Sequence, residues 1–165
     1  MTSKEIIQSK IFESAEAFGP LLQQWKQAGK SVVFTNGCFD LVHRGHIDSL
    51  TKAAELGDRL IVGLNSDHSV KLLKGENKPL IDQYSRAVLL ASLLMVDAVV
   101  IFDEETPDEL IRCIQPNVLV KGSEYKIEEI AGSDIVLNSG GRVERIDLTE
   151  GFSTSDLIKK IKEKF

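Results

Sequence analysis

Short apolar runs alternate along the chain with segments of helical periodicity, and this alternation limits the possible folds more than any other feature. The first four runs, residues 31–36, 59–65, 98–102 and 117–122, are almost continuously hydrophobic, as expected for parallel strands covered on both faces. A fifth, residues 142–148, alternates apolar and polar residues and is predicted to be an edge strand. The pattern predicts an α/β fold, a Rossmann-like open parallel sheet of about five strands with helices on both faces.

The segments between these runs carry signals for helices. Asp82 is a predicted N-cap, because its carboxylate can accept the free N–H groups of a first helical turn. Thr106 precedes a proline, which is favoured at the first position of a helix, so Thr106 is predicted to cap another helix. Helices are predicted over residues 12–28, with a break at Gly19–Pro20, and over residues 82–96, 106–114 and 153–165.

Composition and charge indicate one cytoplasmic domain over residues 1–165, of which residues 1–30 are predicted to be an N-terminal helical extension. The formal net charge of −5 disfavours binding to nucleic acid or to an anionic membrane, so neither is expected as a partner. Cys38 and Cys113 lie far apart and outside any CxxC motif, which argues for a reducing compartment. The chain shows neither a secretory signal nor an apolar run of the roughly 18 residues that span a bilayer.

Polar stretches follow three of the predicted strands. They read TNGCFD at residues 35–40, NSD at residues 65–67 and KGSEY at residues 121–125. In open parallel sheets, ligands bind at the carboxyl ends of the strands, where the strand order reverses. We therefore expect these stretches to converge on one ligand site.

The segment Thr35–Leu50, TNGCFDLVHRGHIDSL, contains two of the three histidines of the chain. A strand ends in it, a tight turn is predicted at Asn36-Gly37, and a helix is predicted to begin near His46. A helix N-terminus presents free N–H groups and the positive end of the helix dipole, which together favour phosphate. Histidines in a loop are often only surface or packing residues. Here the strand, turn and helix start favour a phosphate site that includes His43 and His46.

HRGH at residues 43–46 and TEGFSTSDLIKKI at residues 149–161 resemble the two motifs of the nucleotidyltransferase family of cytidylyl- and adenylyltransferases. The resemblance implies that a substrate phosphate attacks the α-phosphorus of a nucleoside triphosphate in line, and that pyrophosphate leaves without a covalent enzyme intermediate. By this resemblance, His43 and His46 donate hydrogen bonds to the phosphates as negative charge develops. Gly45 lets the phosphates approach the backbone.

The resemblance also assigns cations and nucleotide-binding residues. Because the net charge is −5, local cations are needed to bind two phosphorylated substrates. Lys74 and Arg86 are predicted to act in catalysis with the two histidines, and Lys121 in binding. ATP is the expected substrate, together with Mg²⁺, for which Asp40 and Asp67 are candidate ligands that also suit turn or cap roles. The predicted nucleotide-binding residues are Thr35, Asn36, Gly37, Cys38, Phe39, Gly45, Lys121, Gly122, Tyr125, Ser153 and Thr154.

Stretches outside these motifs are similar to one branch of the family, the D-glycero-D-manno-heptose 1-phosphate adenylyltransferases. These stretches include LKGENKPL at residues 73–80 and PNVLVKGSEYKIEEIAG at residues 116–132. The branch implies transfer of AMP from ATP to the heptose 1-phosphate in lipopolysaccharide biosynthesis, a homodimer, and a separate heptose kinase upstream. Leu148 stands where cytidylyltransferases for glycerol 3-phosphate usually carry arginine. Such a cytidylyltransferase is the first alternative, and a nucleotide-binding module without catalysis is the second.

Overall fold

Six parallel strands form one open sheet in the computed structural model, which describes all residues from Met1 to Phe165. The strands are β1 (Ile11–Phe12), β2 (Val32–Gly37), β3 (Arg59–Asn65), β4 (Ala98–Phe102), β5 (Val118–Gly122) and β6 (Arg142–Ile146). Their order across the sheet is β1-β4-β3-β2-β5-β6, and every neighbouring pair is parallel. This architecture confirms the predicted α/β, Rossmann-like fold.

Eight α-helices and one short 3-10 helix (Ile127–Glu129) accompany the strands. No helix combines the length and the apolar character needed to cross a membrane. The helices are α1 (Ser3–Gln8), α2 (Ala15–Gln27), α3 (Arg44–Ala54), α4 (Asp67–Lys74), α5 (Gln83–Ala91), α6 (Asp108–Ile114), α7 (Ser133–Asn138) and α8 (Thr154–Lys164).

Consecutive strand residues bury their side chains on opposite faces of the sheet. Phe34 belongs to a core cluster with Phe18 of α2 and Ile111 of α6. Its neighbour Val33 belongs to a second cluster, with Leu50 of α3 and further residues of α5. Because helices cover both faces, consecutive positions in the middle of a strand are buried, which explains the nearly continuous hydrophobic runs of the sequence.

The sheet contains one strand more than the sequence pattern predicts. Ile11 and Phe12 of β1 pair with Val99 and Val100 of β4 at one edge, within the part of the chain that was predicted to be a helical extension. Two half-buried residues are too few to produce a recognisable strand pattern. At the opposite edge, β6 is half exposed, as its alternating sequence predicts.

Three predicted helix features differ from the structure. Pro20 lies inside α2, so the predicted break is wrong; burial of Phe18 and Leu22 stabilises the helix despite the missing N–H. The helix predicted over residues 82–96 ends at Ala91. The predicted cap at Thr106 is also wrong, because α6 begins two residues later and its start has no side-chain cap.

The order in which the chain adds strands reverses beside β2. The chain goes from β2 to β3 and β4 on one side, and later places β5 and β6 on the other. A crevice opens at the carboxyl ends of two strands between which such a reversal occurs. The fold therefore places the ends of β2 and β5, with the N-terminus of α3, around the candidate site.

Candidate active site

A cavity of about 190 Å³ lies at the carboxyl ends of β2 and β5. Thr35 fixes the two strands to each other at this point, because its Oγ1 donates a hydrogen bond to the carbonyl of Val120 at 3.0 Å. The cavity is smaller than the roughly 300–1,000 Å³ of complete ligand pockets, and suits one part of a nucleotide better than the whole. It brings together seven of the predicted residues, namely Thr35, Asn36, Phe39, His46, Lys121, Gly122 and Tyr125.

The two histidines of HRGH are held by hydrogen bonds between the turn and the first residues of α3. His43 is the N-cap, and its Nδ1 accepts the N–H of Gly45 at 3.1 Å. The Nδ1 of His46 accepts the backbone N–H of His43 at 3.2 Å. A neutral imidazole whose Nδ1 accepts carries its proton on Nε2, so these bonds assign both rings as Nε2–H donors. The ring centroids are 4.0 Å apart, so the two imidazole rings lie side by side.

His46 is held in its neutral form. Its pKa is lowered to about 4, chiefly by burial and then by the nearby charges of His43 and Lys74. At neutral pH the His46 ring is therefore uncharged and can donate a hydrogen bond from Nε2–H. A neutral donor of this kind stabilises a developing negative charge without changing its protonation state.

Gly45 is required by the close packing of the two sequence motifs. A Cβ at this position would lie 2.9 Å from Cε1 of His43 and 3.0 Å from Cβ of Phe152. The ring of Phe152 stacks on His43, with centroids 6.2 Å apart, and the guanidinium of Arg44 lies 5.7 Å from the Phe152 ring. The segment before α8 therefore packs directly on HRGH, although the two motifs are far apart in the sequence.

The second motif forms the start of α8. Ser153 is the N-cap, and its Oγ accepts the N–H of Asp156 at 3.0 Å. Thr154 is the first residue of the helix. A second cavity, of about 180 Å³, lies here and is lined by His43, Ser153 and Lys160 among others. His43 thus borders a small cavity at the N-terminus of α8, where free N–H groups favour an anion.

Lys121 and Asn36 line the first cavity, and each has a polar side-chain group with hydrogen bonds still to form. The Nζ of Lys121 donates to the carbonyl of Asn36 at 3.1 Å, and its nearest aromatic ring is Tyr125, 5.9 Å away. Burial lowers the pKa of Lys121, with Cys38 and Glu124 acting in the opposite direction. Lys121 forms no salt bridge, and the buried Oδ1 of Asn36 has no hydrogen-bond partner. Both groups are therefore available to a polar ligand.

Lys74, Cys38 and Gly37 lie at the margin of the site. Lys74 is the exposed last residue of α4, and its charge reaches both His46 and Cys38. Burial raises the pKa of Cys38, and nearby cations offset this only in part, so the side chain is a thiol rather than a reactive thiolate. A Cβ on Gly37 would lie 3.0 Å from the Phe39 ring, which explains the small residue there.

Arg86 lies behind the site rather than in it. The side chain is 1% exposed. Its Nε donates to the carbonyl of Ile81 at 2.9 Å, and its Nη1 donates to the carbonyls of Cys38 at 2.6 Å and Asn65 at 2.8 Å. Its Nη2 forms a 2.8 Å ion pair with Asp67. This guanidinium is occupied by groups of the chain, whereas the sequence predicts that Arg86 acts in catalysis together with the two histidines.

The two candidate metal ligands are similarly occupied. The carboxylate of Asp40, 6% exposed, accepts the N–H groups of Leu80 and Ile81 at 2.9 Å. Asp67 pairs with Arg86. No group of three or more His, Cys, Asp or Glu side chains is arranged to hold a metal ion. The side chains present therefore fit a structural role in the turn better than a metal site formed by the protein.

Several residues that line the two cavities are not among the site residues predicted from the sequence. Ser49 follows His46 by three residues on α3, and residues at this spacing lie on the same face of a helix, so its position beside His46 could have been predicted from the sequence. Phe152 is part of the second motif, but its stacking on His43 depends on the tertiary structure. For Glu124 and Leu148, at the first cavity, and for Lys160, at the second, the sequence carries no local signal.

The sequence and the fold both have known relatives. The bifunctional protein HldE of Campylobacter jejuni subsp. jejuni serotype O:2 is 58% identical over 144 residues, which cover 87% of this chain and 30% of that protein. The bifunctional protein HldE of Syntrophotalea carbinolica is 50% identical over 150 residues, covering 91% of this chain and 31% of the relative. The chain thus spans about 30% of the length of these curated relatives.

A solved structure supports the same relationship. The lipopolysaccharide core biosynthesis protein from Thermoplasma volcanium GSS1 aligns with a TM-score of 0.60 and 27% sequence identity, over 73% of this chain and 98% of that one. The sequence pattern of the family described as cytidylyltransferase-like matches residues 34–160, which include HRGH and the second motif up to Lys160. The chain belongs to the cytidylyltransferase-like family.

Proposed function

We propose that the chain is an adenylyltransferase that transfers AMP from ATP to D-glycero-D-manno-heptose 1-phosphate, giving ADP-heptose and pyrophosphate. One observation carries the transfer chemistry: His43 and His46 stand side by side, and each presents an Nε2–H donor at the N-terminus of α3. Two fixed donors at this position suit a reaction in which negative charge grows on a leaving phosphate.

The reaction follows from positioning and from charge stabilisation. An oxygen of the sugar phosphate attacks the α-phosphorus, and the bond to the bridging oxygen of the leaving pyrophosphate breaks. His43 and His46 donate hydrogen bonds to the phosphate oxygens around this bridging oxygen. Each such donor lowers the free energy of the transition state by roughly 3–4 kcal/mol. No side chain has to become covalently bound, which agrees with the protonated thiol of Cys38.

Cations around the cavity reduce the repulsion between the phosphates and a chain of net charge −5. Lys121 is available because it has no carboxylate partner at salt-bridge distance, and Lys74 lies within electrostatic reach of His46. Magnesium enters as part of the MgATP substrate, bound by phosphate oxygens, since Asp40 and Asp67 are occupied by groups of the chain.

The two cavities divide the nucleotide between them. The first, with Gly122 and Tyr125, accommodates the adenine and ribose, where backbone groups and the Asn36 amide can contact them. The second, between His43 and the start of α8, receives the outer phosphates through the free N–H groups at Ser153 and Thr154.

The heptose acceptor is supported by the relatives. The two bifunctional HldE proteins match nearly the whole chain at 50–58% identity, and the structural relative is described as a lipopolysaccharide core biosynthesis protein. A heptose kinase activity has to supply the 1-phosphate in this scheme. We also propose a cytoplasmic homodimer; its support is the exposed apolar surface of Leu80, Tyr84, Leu89 and Leu94 on and beside α5.

The deciding experiment measures pyrophosphate release from ATP and from CTP with Mg²⁺. The acceptor panel contains both anomers of the heptose 1-phosphate, glycerol 3-phosphate and no acceptor. Release with ATP and one heptose anomer is the expected result. Release only with CTP and an alcohol phosphate would replace the proposal by the cytidylyltransferase alternative. Nucleotide binding without release from any pair would identify a non-catalytic module.

A further inference from the structure

Residues 147–152, here called the connecting segment, lead from β6 to the N-cap of α8 and are held almost entirely by α3. They form no hydrogen bond from backbone to backbone. Their only two hydrogen bonds both go to α3. Oγ1 of Thr149 donates to Oδ2 of Asp48 at 2.8 Å. Nζ of Lys52 donates to the carbonyl of Asp147 at 3.2 Å. Because α8 itself buries no residue, these contacts determine where α8 begins.

The contacts on α3 come from one row of side chains. Arg44, Asp48 and Lys52 are four residues apart, so they follow one another along the same face of the helix. Asp48 stands in the middle of the row, and its Oδ2 lies 3.6 Å from Nε of Arg44. The guanidinium of Arg44 in turn lies 5.7 Å from the ring of Phe152. The row thus contacts the connecting segment near its start, in its middle and at its end.

The bond between Thr149 and Asp48 is the strongest of these contacts. It is short, its acceptor is charged, and the Asp48 side chain is 31% exposed. The Arg44 side chain is 71% exposed, and the bond from Lys52 is long and lies at the surface. Exposed ionic contacts of this kind contribute little to stability. The position of the connecting segment therefore depends chiefly on Asp48.

The second cavity lies between the two elements that Asp48 joins. His43, at the start of α3, forms one side of it, and every other lining residue belongs to the connecting segment or to α8. We propose that Asp48 is a positioning residue for the nucleotide: through Thr149 it holds the connecting segment on α3, and so keeps the start of α8 beside His43 before the nucleotide arrives. This inference rests on the proposed nucleotide site. It does not depend on heptose being the acceptor.

A contact that forms before the substrate arrives changes binding more than chemistry. Only molecules whose connecting segment lies on α3 offer both sides of the cavity, so the apparent Kd of the nucleotide rises as the fraction of such molecules falls. Bound nucleotide then holds the two sides together itself. The chemical step that follows is therefore little affected.

The first test removes the bond from either end. Thr149→Val and Asp48→Ala should each raise the KM for ATP about fivefold to tenfold, with kcat within about threefold of the parent value. The double variant should match the single ones, because all three lose the same bond. Asp48→Asn keeps an acceptor oxygen, so it should recover most of the loss. Thr51→Val is the matched control: its hydroxyl bonds only to the carbonyl of Ile47 within α3, and the KM should not change.

Two kinetic outcomes would overturn the proposal. One is a KM within about twofold of the parent value for both Thr149→Val and Asp48→Ala. The other is a multiplication of the two effects in the double variant, which would show that the residues act separately.

The second test needs no turnover. In the free protein, Thr149→Val should speed the hydrogen exchange of the α8 amides at residues 157–161, and the Kd of a non-hydrolysable ATP analogue should rise in parallel. Faster exchange with an unchanged Kd would show a merely structural contact and overturn the proposal. An analogue that does not bind the parent protein would overturn this inference and the proposed function together. Binding without pyrophosphate release would overturn only the transfer reaction.

Discussion

Two regions that are proposed to bind the phosphates differ in how firmly the fold holds them. The turn before α3 is connected to the core by Asp40 and Arg86, which are 6% and 1% exposed. In contrast, α8 has no buried residue, and Leu157 and Ile161 on it are 38% and 48% exposed. The segment before it reaches the body mainly through Phe152 on His43 and through the 2.8 Å bond from Thr149 to Asp48.

Because the turn is firmly held and α8 is not, the two regions should contribute differently to the proposed reaction. Donors on the turn are fixed before the substrate arrives, so they stabilise the transition state without reorganisation. Elements with few buried contacts open at low free energy, which suits a segment that admits substrate and releases pyrophosphate. Substitutions in the turn should therefore affect kcat and global stability, whereas substitutions in α8 should affect ATP binding and local stability.

The largest expected effect is that of His46→Ala. Removing the Nε2–H donor should lower kcat by about 100–1,000-fold, while the half-exposed position lets the fold persist. The measurement is pyrophosphate release at saturating ATP, with circular dichroism as the check on folding. His68→Ala, at an exposed position on α4, is the matched control and should keep the parent rate. A His46→Ala rate within about tenfold of the parent would contradict the assigned role.

Asp40→Asn should show how strongly the turn is held. Its amide offers one acceptor oxygen and turns N–H groups toward the donors of Leu80 and Ile81, so the free energy of unfolding should fall by about 3 kcal/mol. Leu157→Ala on α8 should lower it by less than about 0.5 kcal/mol, because that side chain is partly exposed and packs on no core residue. Urea unfolding measures both. Equal losses would remove the distinction between the two regions.

The pH dependence of the turn follows from His46. Its pKa in the folded state is about 4, below the ordinary value of 6.5, because of burial first and then of His43 and Lys74. The unfolded state therefore binds a proton at higher pH than the folded state. Stability from this group is fully present above pH 6.5 and declines as the pH falls from there toward 4. NMR titration of the free protein, with His46→Ala to assign the resonance, should give a midpoint near 4; a midpoint near 6.5 would contradict the burial argument.

Ser153→Ala should have the most local effect, confined to the first turn of α8. Loss of the cap to Asp156 should destabilise the first turn of α8 by about 1 kcal/mol, visible as faster hydrogen exchange at residues 154–157. Global unfolding should not change, because α8 buries no residue. The KM for ATP should rise with little change in kcat. Ser153→Thr retains the capping oxygen and should restore both measurements.

Much of the fold was already evident from the sequence. Continuous apolar runs predicted β2, β3, β4 and β5 to within a residue at each end, because burial on both faces favours apolar side chains at consecutive positions. The pattern missed β1, which has only two residues. It also placed the end of α5 too late, since apolar residues after Ala91 pack in the core without continuing the helix.

The sequence by itself determined the chemistry offered at the candidate site: two histidines beside a glycine at a helix start, a serine cap at a second helix, and lysines at the ends of a strand and of a helix. Local spacing and residue type are sufficient for such features, because they depend on neighbours a few residues away. Only the tertiary structure decided how these groups are used. It buried Arg86 against carbonyls from three segments, satisfied Asp40 with two distant amides, and stacked Phe152 on His43. These contacts join residues far apart in the chain, and so no local pattern records them.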